Sequence, residues 1–255
     1  EVAYMVKGPT AYPTETVIFS QANEPGAGWD YAHFLPGFVD TPNDPTLSLA
    51  THVVYAFYAY YNGSSNTTLS VVDMTKMSAF LTSLSAFANG VSGEWNILQS
   101  AITSSQLFDE AYRDLTHITD YCRKNFYSSS HKYLAADLYT KTQDFVTYYK
   151  NTGSFATSKG LNIYFPLNSS DSEWSAYTTS NAFMLNDAPW RTFLSTYFAA
   201  DKTPPATPAT PSVTSETPNY RVSWDSVADA SGYHLRERII LSNLLDSNFD
   251  DATMG

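Results

Sequence analysis

The spacing of apolar residues predicts alternating strands and helices over the first 200 residues. Short β-rich runs that end at turn formers predict strands at 16–19, 68–72 and 161–165. Apolar residues recur every three or four positions, as in a helix, over 46–61, 73–91, 95–108, 115–126, 133–150 and 189–198. Residues 1–7 are typical of the end of a further helix. The interleaving of the two kinds of element predicts an α/β domain.

The composition changes at Asp201, because four prolines fall within residues 201–211. A stretch this rich in proline predicts an extended linker between domains. Strand-like runs follow at 221–225 and 233–237. The order of proline linker, tryptophan-containing strand and Ala-Ser-Gly-Tyr resembles the opening of a fibronectin type III module. Such a sandwich needs about seven strands, so we expect a main domain at 1–200 and only part of a β module at 212–255.

The net charge of the chain argues against nucleic acids and anionic lipids as binding partners. It carries 25 acidic and 14 basic residues, which gives a net charge of −11. A basic surface for the phosphates of nucleic acid is therefore not expected, and an acidic surface repels anionic lipids. The sequence contains no run of 18 apolar residues, so it predicts no transmembrane helix.

The residues by themselves form no complete catalytic set. No two of the five histidines are three or four residues apart, so no zinc-binding helix is encoded, and no Gly-x-Ser-x-Gly motif occurs. Cys122 is the only cysteine. It lies beside Arg123 and Lys124, whose charges could lower the pKa of its thiol. Because a lone cysteine on a helix is more commonly an inert, packed side chain, we do not assign it as a nucleophile.

Four segments resemble, in the same order along the chain, the clostripain family of cysteine peptidases. They are residues 1–5, 20–31, 160–166 and 190–194. The most specific is 20–31, which reads Ser-Gln-Ala-Asn-Glu-Pro-Gly-Ala-Gly-Trp-Asp-Tyr. The resemblance spans residues 1–198. It implies a caspase- or gingipain-like three-layer α/β sandwich that lacks its N-terminal half and is followed by the start of an all-β sandwich.

The resemblance also implies where the chemistry lies. In this family a cysteine thiolate attacks the peptide carbonyl and a histidine handles the proton. Both implied positions precede Glu1, so the chain alone is expected to be inactive and to hold no catalytic residue. The loop that follows strand 16–19 is implied to border the S1 pocket. The substrate-binding candidates on this loop are Gln21, Asn23, Glu24 and Asp30.

These candidates leave the substrate preference open. The family pattern has an acidic residue near the position of Gln21, so this glutamine is a departure that puts cleavage after basic residues in doubt. Glu24 is explained equally well as a turn residue before Pro25. Trp29, between a glycine and an aspartate, is more typical of packing than of recognition.

The resemblance as a whole implies a secreted or cell-surface bacterial cysteine endopeptidase that acts on protein or peptide substrates. Downstream β modules would attach it to the cell surface. No cofactor is implied, and a calcium requirement stays open. Two other functions stay open: a non-catalytic cell-surface binding module with a degenerate peptidase fold, and a carbohydrate-active secreted protein, which would need paired carboxylates. His-Gly and Asp-x-Cys motifs upstream would favour the peptidase.

Overall fold

The computed structural model describes residues 14–109, 111–180, 188–203, 206–216, 219–228 and 230. The chain divides into two units, residues 1–202 and 203–255. The first unit alternates short strands and helices in the order β1 (Thr16–Phe19), α1 (Tyr31–Asp40), α2 (Thr46–Tyr61), β2 (Thr68–Asp73), α3 (Met77–Gly90), α4 (Trp95–Ser104), β3 (Tyr112–Asp114), α5 (Leu115–Asn125), α6 (Ser129–Phe145), β4 (Val146–Asn151), β5 (Asn162–Tyr164), α7 (Trp174–Ser180) and α8 (Ala188–Ala199).

A three-stranded antiparallel sheet in the order β1-β2-β4 forms the centre of this unit. Its register places Val17 opposite Val72 on β1 and β2, and Val71 opposite Tyr148 on β2 and β4. Strands β3 and β5 form a separate antiparallel pair. Because β2 is the middle strand of the larger sheet, its backbone donors and acceptors are paired on both sides.

The middle strand β2 is buried on both faces of the sheet, because successive side chains of a strand point to opposite sides. On β2, Val72 packs into a large core with side chains of α3, α4, α5, α6 and α8. Leu69 and Val71 pack instead with side chains of α1 and α2. Each of these three side chains is 0% exposed, and burying each one contributes about 1.5–3 kcal/mol. The sheet therefore lies between two layers of helices.

Polar side chains cap the N-termini of several helices. Asp73 accepts a backbone N–H at 2.9 Å where a 3₁₀ turn, Met74–Lys76, leads into α3. Asp114 accepts a backbone N–H at 3.0 Å at the start of α5, and Ser128 does the same at 3.4 Å at the start of α6. Each side chain satisfies a backbone donor that the helix leaves unpaired.

The predicted strand 16–19 and the predicted helix 46–61 are confirmed with their bounds. The prediction of one helix over 133–150 is wrong, because α6 ends at Phe145 and Val146–Asn151 forms β4. Valine and tyrosine favour a pleated surface, and pairing with β2 decides the conformation of this segment. The helix predicted over 95–108 ends at Ser104. The sequence pattern missed α1, β3 and α7, and residues 1–7 lie outside the described part of the chain.

The described part of the second unit contains one antiparallel pair, β6 (Ser212–Glu216) and β7 (Asn219–Ser223). The strand predicted over 221–225 therefore begins and ends two residues earlier, and β6 was not predicted. The strand predicted over 233–237 falls outside the described residues. Of the helices that the structure describes in the two units, none combines the length and the apolar character needed to cross a membrane.

Candidate functional site

A cleft of about 300 Å³ opens where β1 ends, between residues 20–23 and strand β5. Its floor is apolar and consists of core side chains, among them Phe80 and Leu84 of α3 and Phe145 of α6. Its rim is polar and includes Asn23 and Asp109, which are both exposed. A concave apolar site with a few polar groups at its edge is the usual form of a binding site for a small molecule or a side chain.

The end of β1 is fixed to β2 by side-chain hydrogen bonds. The hydroxyl of Thr68 lies 2.8 Å from the hydroxyl of Ser20, and it accepts the backbone N–H of Gln21 at 2.8 Å and that of Ala22 at 3.2 Å. Because a side chain takes over as acceptor here, the chain leaves the sheet after Phe19 and passes along the cleft. Thr68 is 0% exposed, so these bonds are shielded from water.

Gln21 lies at the inner end of this loop and is 4% exposed. Its amide N–H donates to a carboxylate oxygen of Asp114 at 3.2 Å, and its amide oxygen accepts the backbone N–H of Gly160 at 3.0 Å. Its backbone carbonyl accepts the side-chain N–H of Asn162 at 2.6 Å. Gln21 therefore joins the β1 wall of the cleft to the β3–α5 junction and to the β5 wall.

Asp114 is the buried carboxylate of this network, with 0% exposure. Besides the Gln21 amide it accepts the backbone N–H of His117 at 3.0 Å and the backbone N–H of Lys159 at 2.7 Å. Among the described residues it forms no ion pair. Its negative charge is stabilised by N–H dipoles and by the N-terminus of α5, which favours anions.

The acidic candidate Glu24 has a local partner in the following turn. Its carboxylate accepts the indole N–H of Trp29 at 2.6 Å. The turn closes by a hydrogen bond from the N–H of Gly28 to the carbonyl of Pro25 at 3.0 Å, and Gly28 has a φ of 72°, a conformation that favours glycine. Trp29 packs edge-on against Phe34 and Phe57 with ring centroids 6.4 and 6.5 Å apart.

The other acidic candidate, Asp30, pairs with His33, whose Nδ1 lies 2.5 Å from the carboxylate. Neither Glu24 nor Asp30 lines the cleft, whereas Gln21 and Asn23 do. Among the described lining residues the carboxylate is Asp109, which sequence reasoning did not single out because no motif surrounds it. Only its position before β3, opposite the end of β5, brings it to the cleft.

Cys122 lies inside the large core and is 0% exposed. Burial raises the pKa of its thiol, and the charge of Glu94 raises it further. The neighbouring cations do not offset this, because Arg123 and Lys124 both bind the carboxylate of Asp120 at 2.5 Å. The prediction that Cys122 is a packed side chain is confirmed.

Within the part of the chain that the structure describes, no three His, Cys, Asp or Glu side chains come together as a group that could hold a metal ion.

Comparisons with known proteins supply the remaining evidence. The model of the clostripain family matches residues 1–197. An inactive zymogen C11 protease from Parabacteroides distasonis is 14% identical with a TM-score of 0.52, over 71% of this chain and 53% of that one. A clostripain from Bacteroides thetaiotaomicron, solved with a peptide inhibitor, is 17% identical with a TM-score of 0.49, over 76% and 80% of the two chains. A B. fragilis cysteine protease is 20% identical with a TM-score of 0.45, over 74% and 83%. A search of the curated proteins found no match.

Proposed function

This chain belongs to the clostripain family of cysteine peptidases, and from that premise we propose that it is part of an endopeptidase that cleaves protein or peptide substrates. In this proposal the Cys/His dyad comes from residues upstream of Glu1. The chain itself supplies the core and one border of the substrate cleft. One observation carries the proposal: the family match covers residues 1–197, yet the only cysteine of the chain is buried in the core.

The burial of Cys122 and the raised pKa of its thiol are the physical argument for a dyad elsewhere. A cysteine nucleophile must be accessible to the substrate carbonyl and must reach the thiolate form. Cys122 is enclosed, and its pKa is raised. It therefore meets neither requirement, and a working cysteine peptidase needs its nucleophile from another segment.

The shape and lining of the cleft support a peptide as the ligand. A volume of about 300 Å³ is at the small end of the range for ligand sites and can hold a side chain with its adjoining backbone. The apolar floor suits the methylene groups of the side chain. The amide of Asn23 and the carboxylate of Asp109 at the rim could bind polar groups of the substrate.

We place the border of the S1 pocket on loop 20–30. Gln21 and Asn23 contribute to the cleft, and Glu24 and Asp30 remain candidates further along the same loop. A basic P1 side chain that reached either carboxylate would have to compete with Trp29 or His33. Cleavage after basic residues therefore requires that Glu24 or Asp30 leaves this partner.

Three further proposals follow from the family resemblance. The complete domain would be a caspase- or gingipain-like sandwich, of which the described sheet with helices on both faces forms part. The protein would act outside the cell or at its surface. The strands β6 and β7 would be the start of a fibronectin type III-like module. A calcium requirement is tested by assaying with and without a chelator.

The proposed function is tested by comparing this 255-residue chain with a longer polypeptide that includes the preceding segment. Fluorogenic peptides with Arg, Lys or uncharged P1 residues are the substrates. We expect hydrolysis by the longer polypeptide only. An iodoacetamide label, located by mass spectrometry, should fall on an upstream cysteine and should block activity.

The control for this experiment is Cys122→Ala in the longer polypeptide, which should keep its kcat/KM. The proposal fails if the 255-residue chain hydrolyses the peptides and Cys122→Ala abolishes that activity. It also fails if the longer polypeptide, shown to be folded, neither reacts with the label nor cleaves any peptide.

A further inference from the structure

The side chain of Gln21 links parts of the chain that are far apart in sequence. It contacts Asp114, 93 residues away, and Gly160, 139 residues away. Its backbone carbonyl contacts Asn162, 141 residues away. The residues on both sides of the cleft, 20–23 and 161–164, therefore meet at this one glutamine.

The two groups that bind the Gln21 side chain, the carboxylate of Asp114 and the backbone N–H of Gly160, together require an amide at this position. Asp114 has only acceptor oxygens when ionised, so the group facing it must donate a hydrogen bond. The backbone N–H of Gly160 is a donor, so the group facing it must accept. A primary amide does both without a charge. An ionised glutamate could accept from Gly160 but would place a second negative charge against Asp114, and such like-charged pairs resist ionisation.

The backbone of Gly160 cannot easily move away from Gln21. Its φ is 91°, and a Cβ at this position would lie 2.6 Å from the side chain of Val146 and 3.0 Å from that of Ser70. The backbone therefore packs directly on β2 and β4, and its N–H points in a fixed direction. A rigid donor on one side and a buried carboxylate on the other determine the position of the Gln21 amide.

We propose that Gln21 is a positioning residue, whose neutral amide holds loop 20–30 and the β5 wall at the cleft by bridging Asp114 and Gly160. The amide is 4% exposed and has both ends occupied, so it does not itself bind the P1 side chain. The role of the bridged walls as a substrate site rests on the proposed peptidase function. The bridge itself does not, and it can be tested without activity.

The test uses Gln21→Glu, because a protonated carboxyl reproduces the amide pattern of one donor and one acceptor. The carboxyl at position 21 is buried against Asp114, so its pKa in the folded chain should exceed the value of about 4.3 for a free glutamate. The bridge is then complete at low pH and is lost as pH rises through that folded-state pKa. Other titratable groups near the site are His117, Lys159 and Asp109, and they are unchanged in the variant.

The measurement is hydrogen exchange of residues 20–30 and 158–162 in the 255-residue chain at several values from pH 5 to pH 8. At the highest pH we expect Gln21→Glu to exchange about tenfold faster than Gln143→Glu, since a hydrogen bond to a charged group is lost. At the lowest pH the two variants should converge. Gln143 is exposed on α6 and undergoes the same chemical change, so it controls for the added charge. Asn23→Asp controls for a charge within the same loop.

Gln21→Ala is the second variant, and it should lose protection of the same segments at every pH because neither hydrogen bond can form. The proposal is overturned if Gln21→Glu matches Gln143→Glu and Asn23→Asp throughout, or if Gln21→Ala leaves exchange unchanged. In the longer polypeptide, Gln21→Glu should raise KM for peptides at high pH, where the bridge is lost. At low pH, where the bridge forms again, KM should return to the value of the unsubstituted protein. An inactive longer polypeptide would count against the proposed function alone.

Discussion

Two carboxylates each join distant segments of the first unit, and their surroundings differ. Asp114, at the cleft, is 0% exposed and accepts from N–H donors, and within the described part of the chain no cation pairs with it. Glu94, before α4, keeps a side-chain exposure of 13% and pairs with His131 at 2.7 Å. Glu94 also accepts the backbone N–H groups of Tyr127 and Ser128. The cleft is thus held by fixed dipoles, whereas the α4–α6 contact depends on one carboxylate that binds a histidine ring and two backbone N–H groups and keeps some exposure to solvent.

Because of this difference, the two regions should lose different amounts of stability when one of their residues is substituted. A buried carboxylate without a cation depends on every donor around it, because an unsatisfied group in the interior has no water to replace its partner. A carboxylate that keeps some exposure to solvent loses less when one partner changes, since water can take the place of that partner. We therefore expect the cleft network to be the more sensitive of the two.

The largest effect is expected for Asp114→Asn. One oxygen of Asp114 accepts from both Lys159 and Gln21, and the other accepts from His117. An amide would direct an NH₂ group at one of these donors, so the free energy of unfolding should fall by about 3 kcal/mol. Urea unfolding followed by circular dichroism measures this. A loss below about 1 kcal/mol would show that the carboxylate is not required.

Gly160→Ala should cost somewhat less, about 2–3 kcal/mol, because it combines a positive φ with contact to Val146. The matched control is Gly63→Ala, where φ is 86° but nothing lies within 4 Å of the new Cβ. The difference between the two variants isolates the steric part. Equal losses of stability would mean that close packing at Gly160 contributes nothing.

Glu94→Gln should lower the free energy of unfolding by about 1–2 kcal/mol. The N–H groups of Tyr127 and Ser128 bind different oxygens of Glu94, so the amide can satisfy only one of them and also loses the charge that pairs with His131. Glu173→Gln, at an exposed position, is the control. If Glu94→Gln costs as much as Asp114→Asn, the contrast between the two regions is wrong.

The smallest effect is expected at Asp120. Partial burial tends to raise the pKa of Asp120, but hydrogen bonds from Lys124 and Arg123 outweigh it and hold that pKa below its ordinary value. A lowered folded-state pKa stabilises the protein above the unfolded value of about 3.9. That stabilisation is lost as pH falls through the folded-state pKa. Asp120→Asn should cost about 0.5 kcal/mol at pH 7 and approach zero in acid.

Thermal unfolding across pH measures the Asp120 effect. The comparison variant is Asp144→Asn, which removes a longer and more exposed pair with Lys141 at 3.7 Å. A pH-independent loss for Asp120→Asn would contradict the assignment of its stabilisation to the ion pairs.

Part of the site could be predicted from sequence because it depends on local chemistry. The turn at Pro25 and Gly28 follows from residues that favour it, and the strand that precedes the loop follows from its β-rich composition. The turn and the strand could thus be predicted from local chemistry, whereas Gln21 and Asn23 were candidates only because the resemblance implied that the loop borders the S1 pocket. The hydrogen bond from Gln21 to Asp114 was not predictable, since it joins residues 93 positions apart. It depends on how the tertiary structure brings β1, β3 and β5 together.

The sequence by itself determined the helices and strands whose apolar pattern is strong, the unusual loop, and the presence of a single cysteine flanked by cations. The tertiary structure decided that Val146–Asn151 is a strand, because pairing with β2 outweighs the helical pattern of the preceding residues. It also decided that Cys122 and Gln21 are both buried. Burial and long-range hydrogen bonds depend on which segments meet, and local spacing carries no information about that.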